Sequence, residues 1–421
     1  MKENVMSKGI MFVIAVICIG MMLSTIPFAQ STRSGNGVQI STNKTEYTIK
    51  ETITISFANV GSNAISGIPS ITIEDSYGNV VRTFQWYTFT GAPLTWMPNE
   101  GTTFTWDQKT DNGYYAPTGL YTIKGNFGNY NSESTFKITE KGFLADKTLR
   151  GVTNRNDGTY SIIVGNSGIV LSYDGSRYEL QDSQTTRTLY GVSQLRSTRQ
   201  ATTLIVGQSG TVLKYYHGIG HDKITPLNSG VSATLYGVTQ SPDGTYLIVG
   251  ASSTILKYDG ETFQKISVPA TVGLKTLYSV SWSPDGAFAL ITGSAGTVLK
   301  YDGRNVTKVS SPTTKTLYGV SFKGNSNIAT IVGSYGTVLK YSAGTLSKIE
   351  SGTTKTLYDV SWDAAGNNAY IVGSSGTLLK FNGVSCTTLR SGYTGTSYCV
   401  DVNQGYVVFV GSKGGILKYQ L

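Results

Sequence analysis

Thr316-Leu317-Tyr318-Gly319-Val320, followed by Ile331-Val332-Gly333-Ser334-Tyr335-Gly336-Thr337-Val338-Leu339-Lys340-Tyr341, decides the fold, because both phrases recur in this order along the last two thirds of the chain. The first phrase returns at 188–192, 234–238, 276–280 and 356–360, with Arg150 in the tyrosine place of the copy at 148–152 and a degenerate copy at 396–400. The leading glycine of the second phrase falls at Gly165, Gly207, Gly250, Gly293, Gly333, Gly373 and Gly411, 38 to 43 residues apart. That period matches one four-stranded sheet per repeat. In the fourth repeat the strands are expected at 277–282, 289–292, 297–301 and 306–309, with Ser283-Pro284-Asp285-Gly286 turning between the first two. No repeat holds a long 3.6-residue pattern, and apolar residues fall with little strict alternation, as sheets buried on both faces require.

The wording Val-Gly-x-x-Gly-x-Leu resembles the Ycf48/Hcf136-like photosystem II assembly-factor propellers, and Ser-Pro-Asp-Gly at Ser241 and Ser283 is similar to WD40 and YVTN-type surface propellers. The resemblance implies a seven-bladed β-propeller over residues 146–421 that serves as a binding platform. The Trp-Asp ending of WD40 repeats is absent, so no WD40 partner carries over. Because the sequence ends after the third strand of the seventh repeat, a closed ring needs its last outer strand from upstream. Phe143-Leu144-Ala145 or Thr135-Phe136-Lys137-Ile138 could supply it, the alternative for the second being that it is simply the last strand of the domain before the repeats.

Between residues 38 and 140 the pattern changes to alternation, with Tyr47 and Ile49, then Ile53, Ile55 and Phe57, then Ile71 and Ile73, and later Phe104 and Trp106 at every second position. Turn chemistry at Asn59-Val60-Gly61, Tyr77-Gly78-Asn79, Pro98-Asn99-Glu100-Gly101 and Asp111-Asn112-Gly113 separates half-buried strands at β-sandwich spacing. Trp106-Asp107-Gln108, Asp111-Asn112-Gly113 and Pro117-Thr118-Gly119-Leu120-Tyr121 resemble the immunoglobulin-like modules of flagellar hook-capping proteins and bacterial intracellular proteinase inhibitors, a resemblance that implies fold rather than activity. The fold class expected is all-β, a seven-bladed β-propeller preceded by an immunoglobulin-like β-sandwich. Asp107, Asp111 and Asn112 are too few and too widely spaced for a calcium loop and read as turn formers.

Lys2 and Lys8 flank the start, residues 10–23 form an uncharged apolar run, and small residues lie between Ser24 and Ala29. Residues 1–29 thus read as an export signal, or as an anchor if left uncleaved, and membrane contact is expected only in that second case. Cys18 lies inside the apolar run, behind Ile17, which does not fit lipid attachment. The expected location is extracytoplasmic, secreted or at the cell surface. Only Cys386 and Cys399 remain downstream, so no disulfide framework is expected; the repeat alignment sets them a sheet's width apart, as two buried apolar thiols. Asn43 and Asn305 open sequons for glycosylation. The net charge of +9 favours acidic partners, and export excludes nucleic acid.

No catalytic motif, metal set or cofactor signature is present. His217 and His221 sit in a glycine-rich insertion without companion ligands, and Asp285, Asp302 and Asp359 read as turn formers or strand-end polar groups. Carboxylates brought together only by the fold, at the channel mouth, are the one route left open to a glycoside-type hydrolase. Two repeated side chains could make a surface. Tyr190, Tyr236, Tyr278, Tyr318, Tyr358 and Tyr398 are expected at the channel as an aromatic ring interrupted by Arg150. Lys214, Lys257, Lys300, Lys340, Lys380 and Lys418 recur near the end of the third strand as a cationic circle. The alternatives are a shared packing residue for the tyrosines and solvated, edge-protecting cations for the lysines. The function expected is an extracytoplasmic scaffold for a protein partner of the cell envelope or exterior. The alternatives are a binder of acidic glycan or anionic wall polymer, using both circles, and the hydrolase.

Overall fold

The structure is a computed structural model that describes residues 32–34, 37–85, 92–111, 115–116, 118–139, 142–155, 160–173, 178–194, 202–216, 223–403 and 405–421. The export signal, Cys18, Asn112, Gly113, Pro117 and the two histidines lie outside these residues.

Within the first part, the alternating segments form two facing antiparallel sheets. One runs Thr32–Ser34, Tyr130–Thr139, Gly119–Phe127, Pro69–Glu74, Val80–Gln85, with Glu46–Thr48 added parallel to Tyr130–Thr139; the other runs Val38–Thr42, Ile53–Asn59, Gly101–Trp106. Ile53, Ile55 and Phe57 point inward at every second residue and meet Ile71, Ile73 and Ile123. Tyr121 stacks on Phe136 at 5.6 Å, and the Trp106 edge meets both rings. Gln108 is fully buried: its amide donates to the Thr48 and Glu51 carbonyls at 2.7 and 2.8 Å and accepts the Lys50 N–H at 2.9 Å. That explains the Trp-x-Gln wording as a pin for the 48–51 turn.

Among the described residues the repeats form six four-stranded antiparallel sheets and one three-stranded sheet, each ordered as in the sequence. The fourth repeat gives Leu277–Trp282, Ala289–Gly293, Val298–Tyr301 and Val306–Lys308. The first strands stand side by side, and the first of all, Leu149–Asn154, touches the last, Ser397–Asn403. The chain is therefore an all-β propeller, a closed ring of sheets around a channel. The two sequence phrases hold it together. Within each repeat, the residue after the leading glycine donates to the carbonyl of the first-phrase threonine, as Ser294 does to Thr276 at 2.8 Å. Between repeats, the second glycine donates onward, Gly296 to Lys315 at 2.9 Å, and the same bond from Gly414 to Lys147, at 2.8 Å, joins last to first.

Among the described residues the last sheet has no fourth strand, and the ring closes through its inner strands. Residues 135–138 belong to the sandwich strand Tyr130–Thr139, flanked by Gly119–Phe127, Thr32–Ser34 and Glu46–Thr48. Residues 143–145 form a turn, with Leu144 packed against Gly414. Neither expected segment pairs with Ile416–Gln420, because the alternating apolar residues of the first are committed to the sandwich core and the second is too short and too bent.

Candidate functional site

Each first strand carries one extra residue against its neighbour. The register shifts between Leu149 and Gly151, Leu189 and Gly191, Leu235 and Gly237, Leu277 and Ser279, Leu317 and Gly319, Leu357 and Asp359, and Ser397 and Cys399. The bulged residues are Arg150 and the six tyrosines. A bulge re-aims its side chain: the preceding leucine drives into the sheet core, fully buried in six of the seven repeats, and the bulged residue is turned to the channel end. The next position is glycine in four repeats because the first strands nearly touch there; a Cβ on Gly191 would meet the Tyr236 carbonyl oxygen at 2.6 Å.

The bulged side chains form a continuous ring. Successive tyrosine centroids from Tyr190 to Tyr398 lie 4.9, 5.3, 5.0, 5.2 and 5.1 Å apart, tilted 46 to 56°. Arg150 completes the circle, its guanidinium carbon 4.2 Å from the Tyr398 ring and 5.9 Å from that of Tyr190. Arg150 makes no hydrogen bond or ion pair among the described residues, and its buried Nε has no partner. Burial raises the Tyr236, Tyr278 and Tyr358 phenols above their usual range, with neighbouring tyrosines adding to it, so they remain neutral donors at physiological pH.

The lysines lie elsewhere. Lys300 pairs with Leu290 and Thr307, and Leu290 with Ser281, so it sits two strands outward from Tyr278 and three residues nearer the other end of the ring. Five of the six lysines are half-buried and Lys418 is exposed. Lys214 lies over Tyr216, Lys300 over Phe288 and Lys418 over Tyr406, at 5.0, 4.5 and 4.2 Å. The structure does not bring the two circles into one surface.

Asp359 needs correction. It is neither a turn former nor at a strand end but inside Leu357–Trp362, directly after the bulge, where other repeats hold glycine, serine or cysteine. Its Oδ2 accepts the Val400 N–H at 3.0 Å; beside it Asp401 accepts from Asn154 N at 2.7 Å and Ser361 Oγ at 3.3 Å, and Cys399 Sγ accepts from Val152 N at 3.4 Å. These side chains fasten the inner strands of the last two repeats to their neighbours. Burial pushes the Asp359 carboxyl up to about 6, although the residue as a whole is only half-buried. Asp285 and Asp302 do form turns, accepting the backbone N–H groups of Ala287 and of Arg304 and Asn305. Cys386 and Cys399 are free and half-buried rather than fully buried. Asn43 caps the turn at Tyr47 and Thr54, and the Asn305 N–H is held by Asp302.

Sequence reading missed a crevice of about 770 Å³ on the same end of the ring as the tyrosines, between Lys50 and Tyr115 of the sandwich and Asp182, Arg187, Thr211 and Ser229 of the first two repeats. Lys109 crosses beside it to Asp182 at 2.7 Å. Contacts between residues so distant in the chain leave no local signal.

No family model and no curated protein matches the chain. Among solved structures the fold is similar to that of YCF48 bound to D1 peptide, 13% identical with a TM-score of 0.53, covering 66% of this chain and 93% of that one. It is also similar to YCF48 from Cyanidioschyzon merolae, 15% identical with a TM-score of 0.54, covering 66% of this chain and 96% of that one. At such identities the likeness establishes the β-propeller and nothing of the ligand.

Proposed function

We propose that this chain is an extracytoplasmic scaffold, an immunoglobulin-like sandwich (38–140) followed by a seven-bladed propeller (146–421), that binds a segment of a protein partner at the tyrosine end of its channel. The observation that carries the reading is Arg150, a guanidinium held between two aromatic faces with no acceptor of its own among the described residues. A charge so placed favours a carboxylate, and the tyrosines around it offer hydroxyl donors and apolar edges for the flanking residues of a peptide. The sandwich stands over the same end and would form a second wall, with the crevice between. A propeller seen with a peptide, the YCF48 fold neighbour, makes such use of the fold reasonable.

Glycan binding gains less support. Each tyrosine leans on its neighbours at about 5 Å, so its faces are occupied and not free to stack on sugars, and the lysines lie outside the ring. The test is affinity capture from host envelope extract with the chain from residue 30, at low and high salt, beside Tyr278→Ala/Tyr318→Ala, Arg150→Gln and Lys300→Glu/Lys340→Glu. A defined protein that is lost in the first two and kept by the lysine variant supports the reading. Acidic polymer lost with the lysine variant, or no capture, overturns it.

A further inference from the structure

The crevice between the sandwich and the first two repeats is lined on both walls by side chains on strained backbone. Lys50, on the sandwich wall, is left-handed at φ +67° without being glycine. Its N–H is held by the Gln108 side-chain oxygen, and Gln108 is itself left-handed at φ +63°. On the propeller wall Gln184 has φ +56°, in the place where the second, fifth and sixth repeats keep the left-handed glycines Gly230, Gly352 and Gly392. A Cβ on any of those glycines would meet nothing within 4 Å, so packing does not decide the residue there and the backbone alone favours glycine. The first repeat carries a glutamine against that preference, and strain of this kind collects at binding sites.

Charge in the crevice is unbalanced. Asp182 is the carboxylate among its described lining residues, and it is committed: Oδ2 accepts from the Lys109 ammonium at 2.7 Å and Oδ1 from the Gln184 N–H at 3.1 Å. Lys50 and Arg187 have no carboxylate within ion-pair distance among the described residues. The Arg187 guanidinium donates to two neutral acceptors, the Ser209 carbonyl and the Thr211 hydroxyl, each at 3.3 Å. The Lys50 ammonium lies 5.1 Å from the centre of the Tyr115 ring, as does that of Lys109. Desolvation lowers the Lys50 pKa, Asp182 opposes this, and Lys109 and Lys147 reinforce it. An anion is therefore the ligand that this space of about 770 Å³ lacks. Leu227, Val231 and Tyr115 add half-buried apolar surface, which suits the side chains of a peptide and which an acidic sugar would leave unmatched.

We propose that the crevice seats an acidic residue of an extended partner segment, with its carboxylate against Lys50 and Arg187, the Gln184 amide bonded to the segment's main chain, and an apolar neighbour on Leu227, Val231 and Tyr115. Charge-assisted hydrogen bonds then select the acid over its amide. This site rests on the reading of the chain as a receptor for a protein segment, and not on the tyrosine ring.

The test is fluorescence anisotropy of the full chain with two labelled peptides, Gly-Leu-Glu-Leu-Glu-Leu-Gly and its Gln counterpart. The Glu peptide should bind about tenfold tighter, a preference that Lys50→Gln or Arg187→Gln reduces to about twofold. Lys308→Gln, at an exposed cation of the fourth repeat, should leave it unchanged. Gln184→Gly should raise the thermal midpoint by relieving the backbone and yet weaken the Glu peptide, a combination that a merely structural glutamine would not give. Equal binding of the two peptides, or a preference that survives both Lys50→Gln and Arg187→Gln, would overturn the proposal. A preference lost in Arg150→Gln but kept by both crevice variants would overturn it while leaving the tyrosine-ring reading standing. Displacement of the Glu peptide by tetragalacturonate at a lower concentration than by unlabelled peptide would overturn it in favour of an acidic sugar.

Discussion

Arg150 and Asp359 stand where repetition is broken, and each break has a different physical meaning. Arg150 replaces a tyrosine without leaving the ring, so the ring keeps its packing and gains a charge. Arg150→Gln should therefore leave the unfolding temperature within a few degrees of wild type, yet weaken partner binding about tenfold or more by titration calorimetry, the scale of a lost charge-assisted hydrogen bond. Asp359 replaces glycine and ties two strands through its carboxylate. Its native pKa, pushed to about 6, lies above the unfolded carboxylate range, so the folded state holds the proton more tightly. Its contribution to stability is fully present below the unfolded carboxylate's pKa of about 4 and is lost as pH rises through 6. The thermal midpoint should accordingly rise from pH 7 to pH 5, and Asp359→Asn should flatten that slope. A slope unchanged in the variant would mean another group carries it.

The element that makes the molecule is the repeated sheet, and its two phrases were readable because every copy meets the same surroundings: a threonine carbonyl, a neighbouring sheet and a buried leucine. The second glycine shows the demand most sharply. Gly296 has φ +67°, and a Cβ there would overlap the Thr313 carbonyl oxygen. Only the third repeat departs, with Ser253 in that place, and its connection onward to Thr276 is longer, with an extra turn at Ala270–Val272. Gly296→Ala should cost about 2 kcal/mol or more in denaturant unfolding, whereas Leu277→Ala should cost about 2–5 kcal/mol through its cavity. What could not be read was relational. The bulge is a mismatch between two strands, so the tyrosines could be placed at the channel but not seen to touch. Asp359 was misplaced by a rule for strand ends because its partner is 41 residues away. Residues 135–138 could be read either as the outer strand, on local likeness to 262–266, or as the last strand of the sandwich, because the alternation of Ser134, Phe136 and Ile138 suits both.

At the scale of the whole molecule, the sandwich and the first and last sheets share one apolar core. It runs from Ile73, Trp106 and Phe136 through Leu144 to Leu149, Ile163 and Val408, and Lys109 to Asp182 crosses the same junction. Calorimetry of the full chain should show a single unfolding transition, and Leu144→Asp, which places a charge in that joint, should separate it into two. A joined body of this kind fixes the sandwich against the first two repeats, with the crevice between them open to a partner segment. The most direct measurement is site-specific photo-crosslinking in host envelope extract, with a benzophenone side chain at Tyr278 in the ring and, for comparison, at Arg304 on the opposite turn. The account predicts one discrete protein adduct from position 278, abolished by Arg150→Gln, and none from position 304. Adducts from 304 alone, or adducts from 278 that ignore Arg150, would contradict it.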